Sequence, residues 1–420
     1  MFLHLDIDCF FASAHRINTN KYDNIPIAVG GRSNLNIFSK TKQNRVLSHV
    51  NGAFTSAILT LNNSSSKDYF IDENKKIRGI ITTSSYEARA FGVKTAMSVS
   101  QALQLCPHLK MIAPDFPLYH DLSHKLKLLL EKEIPHVQQG SIDEFYGNVD
   151  GWIKDDDILN FAIYLKQKIK DDLGLPISIG IAHTKYIAKL ATNKAKPFGI
   201  KLVTREQRQE FIQNMPISNF PGIGKNYEKR LLKYGIRKLG DVKNHKELFY
   251  SWKKPGIELY NRICGLDNDK IDIIEDKKSI GLGRTFDPIN NRYEIKRRIV
   301  ILCRHLSFLA IKGKYKPLTY SLSIRYQYGE KQKEYINSHR MFNESIFKKI
   351  TLELFDKIDI HKSHALIQIN ISLSNFSSQK QTTFDMFNLD DDLKQENLGE
   401  SMQKLRNKFG IDIIKSANEL

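Results

Sequence analysis

Two acidic clusters lie in apolar surroundings. Phe2-Leu3-His4-Leu5-Asp6-Ile7-Asp8-Cys9-Phe10-Phe11 places two aspartates two positions apart, and Gly140-Ser141-Ile142-Asp143-Glu144-Phe145-Tyr146 places two carboxylates side by side. Both runs read as strands. Strand residues alternate between faces, so Asp6 and Asp8 would share one, while Asp143 and Glu144 would point apart and at least one would be displayed. If the two strands pair, three or four carboxylates crowd one sheet surface. Such crowding is costly unless cations compensate it. Divalent metal ions are the usual compensation, and hard Mg²⁺ prefers carboxylate oxygen. Each pair alone reads as solvated surface; together, each inside a hydrophobic run, they read as metal-binding groups.

Three further stretches could act on phosphate. Tyr86 and Arg89 lie three apart in Tyr86-Glu87-Ala88-Arg89-Ala90-Phe91-Gly92-Val93 and share a face if helical; a phenol and a guanidinium together suit phosphate oxygens. The basic run Thr184 to Lys196 predicts a helix stopped by Pro197-Phe198-Gly199, with Lys196 at its end. Taken alone it reads as a solvated charged face. Phe220-Pro221-Gly222-Ile223-Gly224-Lys225, followed by a helix, resembles a helix-hairpin-helix turn. Its glycines would let backbone N–H groups reach a DNA phosphate without an intervening Cβ.

The elements that must position these groups follow from periodicity and breakers. Strands are predicted over 1–11, 27–31, 80–85, 141–149 and 177–181, and helices over 98–106, 121–133 (with Asp121 as N-cap) and 156–172. Residues 32–78 are polar and read as a surface insertion with a short amphipathic segment near 54–61. Residues 205–272 read as short helices and 273–279 as a charged linker. The order strand 280–286, helix 292–311, strands 318–328 and 334–341, helix 344–358, strand 365–376 is a split-βαβ pattern. That segment carries 17 Lys/Arg against 8 Asp/Glu, a net of +9. Tyr320, Tyr326 and Tyr328 interleave there with Arg325, Lys331 and Lys333, which reads as a small basic sheet facing a phosphate backbone. The tail from 378 carries an apolar cluster at 381–387 and a helix over 400–409.

Composition agrees. A 420-residue chain with formal net charge +18 favours several domains and a polyanionic partner, nucleic acid first. No apolar run approaches the about 18 residues that span a bilayer, and no secretory signal is visible. Cys9, Cys106, Cys264 and Cys303 are scattered, which fits a reducing cytosol and neither a zinc ribbon nor a disulfide framework.

At this point the chain resembles the Y-family DNA polymerases, the DinB/UmuC group that copies past damaged template bases. The resemblance rests on Asp6-Ile7-Asp8-Cys9-Phe10-Phe11-Ala12-Ser13, Tyr86 to Val93, Ser141-Ile142-Asp143-Glu144, Ala195-Lys196-Pro197-Phe198-Gly199 and Pro221-Gly222-Ile223-Gly224-Lys225, in family order from residue 1 to about 377. It implies an α+β multidomain, right-hand fold. Palm and fingers would occupy 1–204 (fingers about 10–108), a helix-hairpin-helix thumb 205–272, and a βαββαβ little finger 280–377. It implies that Asp6, Asp143 and Glu144, with the Ile7 carbonyl, hold two Mg²⁺ ions for phosphoryl transfer from a dNTP, and that Asp8 is supporting charge. Tyr86, Arg89, Lys196 and Thr83 would grip the triphosphate, and Phe11 would be the steric gate against ribose. Gly222, Gly224 and Lys225 would contact primer-template DNA. Gln381, Phe384, Met386 and Phe387 would dock on the sliding clamp, although the Gln is out of register with the family peptide. His15 stands where the family often has Glu, and the 32–78 insertion is longer than usual. The implied protein is a monomeric cytosolic enzyme of the DNA-damage response. The competing readings are a non-catalytic accessory subunit, which would lose the carboxylates; a palm-like nucleotidyl cyclase, which needs no DNA grip; and a plain DNA-binding protein, in which the acids would repel DNA.

Overall fold

A computed structural model describes the chain outside residues 18, 34, 40–44, 48–57, 61–68, 72–74, 268–269, 272–276, 378–387 and 420. It has two compact units. The first is built on Met1–Gly31 and Ser66–Glu275, the second on Asp276–Leu420, with Ile37 and Phe38 packed into the second unit's core.

The first unit is organised on a five-stranded sheet in the order Ile200–Val203, Ile177–Ala182, Phe2–Ile7, Glu144–Asn148, His136–Gln139. The central strand Phe2–Ile7 runs antiparallel to both neighbours, with Asp6 opposite Glu144 on one side and Ser178 on the other. Alternation sends Leu3, Leu5 and Ile7 into a core with helices Phe10–Ile17, Phe116–Glu133 and Ile158–Leu173. It sends His4 and Asp6 to the opposite face, under helix Lys185–Ala195, where His4 Nδ1 lies 2.8 Å from the Thr192 hydroxyl. That helix sits low on the sheet because its neighbour is Gly180: a Cβ there would meet Ala188 O at 2.1 Å and Thr192 N at 2.3 Å. A smaller sheet, Ile80–Ser84, Ile27–Gly31, Lys110–Ile112, carries helix Tyr86–Ala90, whose N-cap Ser85 accepts from Ala88 N. Short helices follow between Arg208 and Cys264 around buried Phe220, Leu231 and Phe249.

The second unit has the expected βαββαβ order. Its antiparallel sheet runs Ser279–Ile289, Leu366–Phe376, Pro317–Tyr326, Lys331–Asn337. Helices Arg292–Lys312 and Glu344–Ile358 cover one face. Tyr320 and Tyr326 are fully buried against them, so neither joins the basic surface expected of it; Tyr328 does stand exposed. The helix expected from Asp121 begins a turn earlier at Phe116, because Asp115 caps it and Pro117 suits its first turn. The expected linker falls mostly outside the described residues, as does the apolar cluster at 381–387.

The rest of the tail is part of the second unit. Its last helix spans Leu389–Phe409, longer than expected, with Asp390, Asp391 and Asp392 in the first turn, where the helix dipole favours acids. Asp392 also pairs with Arg340 at 2.6 Å. Beyond it the chain closes on a buried ionic network. Arg304, 1% exposed, meets Glu419 at 2.6 Å and Asp412 at 3.0 Å and donates to Ile411 O. Lys348 bridges Glu344 and Glu419, and Glu344 also holds Arg406. Burial would raise the Glu419 carboxyl, but Arg304 and Lys348 hold it below its ordinary value. Removing one partner of a buried pair exposes the cost of the other. Glu419→Gln should therefore cost about 3 kcal/mol, the low end for a broken buried pair because Asp412 remains. A carboxyl held low contributes above its unfolded pKa and loses that contribution as pH falls through its folded one, so wild type and variant should converge in acid. Denaturant unfolding at neutral and acid pH checks this; a cost below about 1 kcal/mol at neutral pH would mean that Arg304 does not depend on Glu419.

Candidate active site

The end of the central strand brings the acidic clusters together. Asp6 and Glu144 face each other in register. Asp143 is not in the strand: residues 141–143 form a bend, and the strand begins at Glu144. Its backbone carbonyl accepts from Ile7 N at 3.0 Å, which fastens the bend to the strand end. Ser141 shapes the bend, donating its hydroxyl to Asp143 Oδ1 while accepting from Glu144 N. Because Asp143 escapes strand alternation, both carboxylates of the second cluster can serve one site, contrary to the expectation that they point apart.

Two lysines of the overlying basic helix answer this charge. Lys189 Nζ donates to both oxygens of Glu144, at 2.8 and 2.7 Å, and Lys196 Nζ lies 2.7 Å from Asp6 Oδ1. The helix is thus no solvated face. The lysines draw Glu144 and Asp6 toward themselves, and the three carboxylates do not form a cluster with all ligand atoms within 4.8 Å. Burial pushes the Asp6 carboxyl up to about 7, against the pull of Lys196 and with the repulsion of Asp143 and Glu144. Burial also raises Asp143, opposed by the Ser141 hydroxyl and helped by Glu144. Asp6 and Asp143, both with raised proton affinity, together with Glu144 offer an all-carboxylate donor set that fits a hard divalent ion.

Asp8 does not join them. It accepts from Tyr86 OH at 2.9 Å, Ser178 Oγ at 2.8 Å and Phe198 N at 2.7 Å, so it ties three segments together. The expectation placed it on the face of Asp6; it lies instead beyond the end of the strand. Burial, then the Asp8 carboxylate, pushes the Tyr86 phenol well above its ordinary value and keeps it a donor. Arg89 lies with its guanidinium 5.0 Å from the Tyr86 ring, on the shared face, and donates to Ser84 O. Thr83 is half-buried, on the strand leading to them, while the neighbouring Thr82 hydroxyl is spent on Val29 O.

Phe11 is half-buried and stacks on Tyr119 at 4.2 Å, with the Phe116 ring edge-on at 6.4 Å. Tyr119 is itself buried, and its hydroxyl meets His15 Nε2 at 2.8 Å. His15 therefore holds the ring that backs Phe11. Gly222 has φ +95°, and both it and Gly224 have open space where a Cβ would stand; Gly224 caps helix Lys225–Leu232. Sequence reasoning missed Lys189 and Tyr119. The signal for Lys189 was the spacing of Lys185 and Lys189, four apart on a helix that leads to Lys196; nothing in the sequence pointed to Tyr119.

Models of the impB/mucB/samB family match residues 5–193, and of that family's C-terminal domain residues 277–386. A DNA polymerase IV of Oceanobacillus iheyensis is 32% identical over 396 residues, covering 90% of this chain and 93% of that protein. One of Treponema denticola is 27% identical over 433 residues, covering 100% and 97%. Among solved structures, a Y-family DNA polymerase chimera of Dbh and Dpo4 matches with a TM-score of 0.71 at 20% identity, covering 89% of this chain and 98% of that one. DinB from Sulfolobus solfataricus matches with a TM-score of 0.54, at the same identity and coverage.

The raised Asp6 carboxyl sets a testable balance. Its folded pKa lies above its unfolded one, so the folded state holds the extra proton, and metal-free stability falls as pH rises toward 7. Asp6→Asn should stabilise the metal-free chain above that pH by on the order of 1–2 kcal/mol and have little effect near pH 4. Melts in EDTA at both pH values check this. Destabilisation by the substitution at high pH would show that the Asp6–Lys196 pair outweighs the burial of charge.

Proposed function

The chain belongs to the impB/mucB/samB family, the DinB-type Y-family DNA polymerases, and on that premise we propose how its own residues add deoxynucleotides to a primer 3′ end past damaged template bases. DNA-directed DNA synthesis of the translesion kind is its activity, and DNA its partner. The reading as a non-catalytic accessory subunit is not favoured, since every carboxylate such proteins lose is present. We assign palm and fingers to 1–204, thumb to 205–272 and little finger to 280–377.

One observation carries the site assignment: Asp6 and Glu144 paired in register, Asp143 in the bend bonded to Ile7 N, and lysines holding their charge. Asp6, Asp143 and Glu144, with the Ile7 carbonyl, would hold divalent ions, which we take to be two Mg²⁺. Bound there, such ions activate the primer hydroxyl and stabilise charge on the transferring phosphate and pyrophosphate. Lys189 neutralises Glu144 and Lys196 neutralises Asp6, and with ions bound Lys196 would be free to meet the triphosphate. Tyr86 stays protonated on Asp8 beside Arg89, so both can donate to phosphate oxygens, with Thr83 adjacent. Phe11, backed by Tyr119, fills the space a ribose 2′-hydroxyl would need. Gly222, Gly224 and Lys225 offer backbone N–H groups and a cation to one DNA phosphate.

Asp143→Asn and Glu144→Gln should each reduce nucleotide addition by at least 1,000-fold, about 4 kcal/mol of transition-state stabilisation, with DNA binding retained. Phe11→Ala should instead keep activity and admit ATP alongside dATP. Single-nucleotide primer extension separates these outcomes; near-normal extension by either acid variant would sink the assignment. The match to bacterial polymerases supports an enzyme of the bacterial cytosol, and we take it to act as a monomer. For Gln381, Phe384, Met386 and Phe387 we keep the sliding clamp as partner, supported by their apolar cluster in a polar segment. A synthetic 378–390 peptide should bind the cognate clamp by fluorescence anisotropy, and Phe384→Ala with Phe387→Ala should abolish it; equal binding by both peptides would remove the proposal.

A further inference from the structure

Outside the active site, Glu330, His361 and His364 stand together in the second unit, each offering one ligand atom, with all three atoms within 4.8 Å of one another. Glu330 lies in the turn between strands Pro317–Tyr326 and Lys331–Asn337; the histidines lie in the turn between helix Glu344–Ile358 and strand Leu366–Phe376. Glu330 Oε2 is 3.2 Å from His361 Nε2 and 3.7 Å from His364 Nδ1. The two imidazoles stack at 5.1 Å, 19° from parallel.

The bland reading is a surface His–Glu pair. It accounts for His361 at 3.2 Å but not for His364 Nδ1, which is buried and finds no hydrogen-bond partner among the described residues. The 3.7 Å gap to the carboxylate is too long for a hydrogen bond. Two ligand atoms at this separation are compatible with both binding one metal ion at about 2.0–2.2 Å.

The turn is held from behind, which fixes where the rings point. Arg292 Nη2 donates to the backbone carbonyls of His361, at 3.0 Å, and His364, at 2.9 Å. Its charge is answered by Asp359, which it meets at 2.9 and 3.1 Å. Tyr326 accepts from His361 N, donates to Asp359, and sets its ring edge against both imidazoles. Lys362 is also paired with Asp359. Arg292 and Lys362 are thus both answered by Asp359.

We propose that Glu330, His361 and His364 form a binding site for a divalent transition-metal ion of the zinc class, which fastens the hairpin turn to the helix–strand turn of the second unit. Two imidazole nitrogens and one carboxylate oxygen suit Zn²⁺ or Co²⁺, whereas Mg²⁺ and Ca²⁺ prefer all-oxygen sets. Three protein ligands leave a fourth position for water. The backbone clamp by Arg292 orients the turn that carries both histidines, so little ordering remains to be done on binding.

The test uses the full-length chain, stripped with chelator and held in excess Mg²⁺ so that the active-site carboxylates are filled. Co²⁺ titration should give one equivalent with the visible absorption of a low-coordinate nitrogen–oxygen site, and Zn²⁺ should displace it. Glu330→Gln and His364→Ala should each weaken Co²⁺ binding at least tenfold, with melting curves confirming that the chain is folded and primer extension unchanged. Asp143→Asn should leave the Co²⁺ spectrum intact. The proposal is overturned if no equivalent binds, if both substitutions leave binding unchanged, or if the signal disappears with Asp143→Asn and survives His364→Ala.

Discussion

Three carboxylates at one end of a buried strand repel one another, and the first unit is arranged around that repulsion. Apolar packing of Leu3, Leu5 and Ile7 fixes the central strand from one side, so Asp6 has no choice of position on the other. Gly180 lets the helix Lys185–Ala195 descend onto the sheet until Lys189 and, just past its end, Lys196 reach the acids. Even so, burial keeps the Asp6 carboxyl near 7. A fold that sought only stability would remove these charges. Their retention fits a site whose natural counter-ions are metals, with lysines sharing the task between turnovers.

Much of this was legible in the sequence. Acidic pairs inside apolar runs are unusual enough to be read directly, and the glycine, proline and aromatic punctuation placed most elements that carry them. What escaped was geometry that a two-residue period cannot express. Asp143 and Glu144 read as strand neighbours on opposite faces. One bend, shaped by the Ser141 hydroxyl, puts Asp143 outside the strand and dissolves that conflict. Asp8 read as sharing Asp6's face, yet the strand ends at Ile7, and Asp8 is taken up by Tyr86, Ser178 and Phe198. Long-range partners decide such positions, and the sequence around each residue does not contain them.

The second unit shows the same division. Alternation predicted its strands well, because the helix-covered face demands Tyr320, Leu322, Ile324 and Tyr326 at every second position. Yet the same alternation removes two of the three tyrosines from the surface they were expected to share with basic residues. Of the long C-terminal helix only 400–409 was legible as an element, and nothing in the sequence marked what fastens it to the core. The attachment of the residues after it depends on Arg304, which lies in the mainly apolar stretch 299–310 of a helix whose first turns are basic, so its charge read as one more solvated group of that helix.

Charge counting is therefore a poor guide to how this unit meets a polyanion. Its net of +9 over 280–377 is spread over several tasks. Arg304 and Lys348 fasten the C-terminal residues, Arg340 the acidic start of the last helix, and Arg292 the histidine turn. On the helix-free face of the sheet, register places exposed Arg325, Lys331 and Lys333 together, beside the small polar residues Thr319, Ser321 and Ser323. Small side chains allow a backbone to approach closely, and three cations supply the attraction. At about 0.9 per neutralised phosphate on duplex DNA, three cations would give a log–log salt slope of about 3, well short of what the segment's net charge suggests. Arg292, Arg304 and Lys348 act inside the protein, each opposite a buried carboxylate, and cannot also be presented to DNA, while Lys312, Lys314, Lys316 and Lys349 stand exposed elsewhere on the unit.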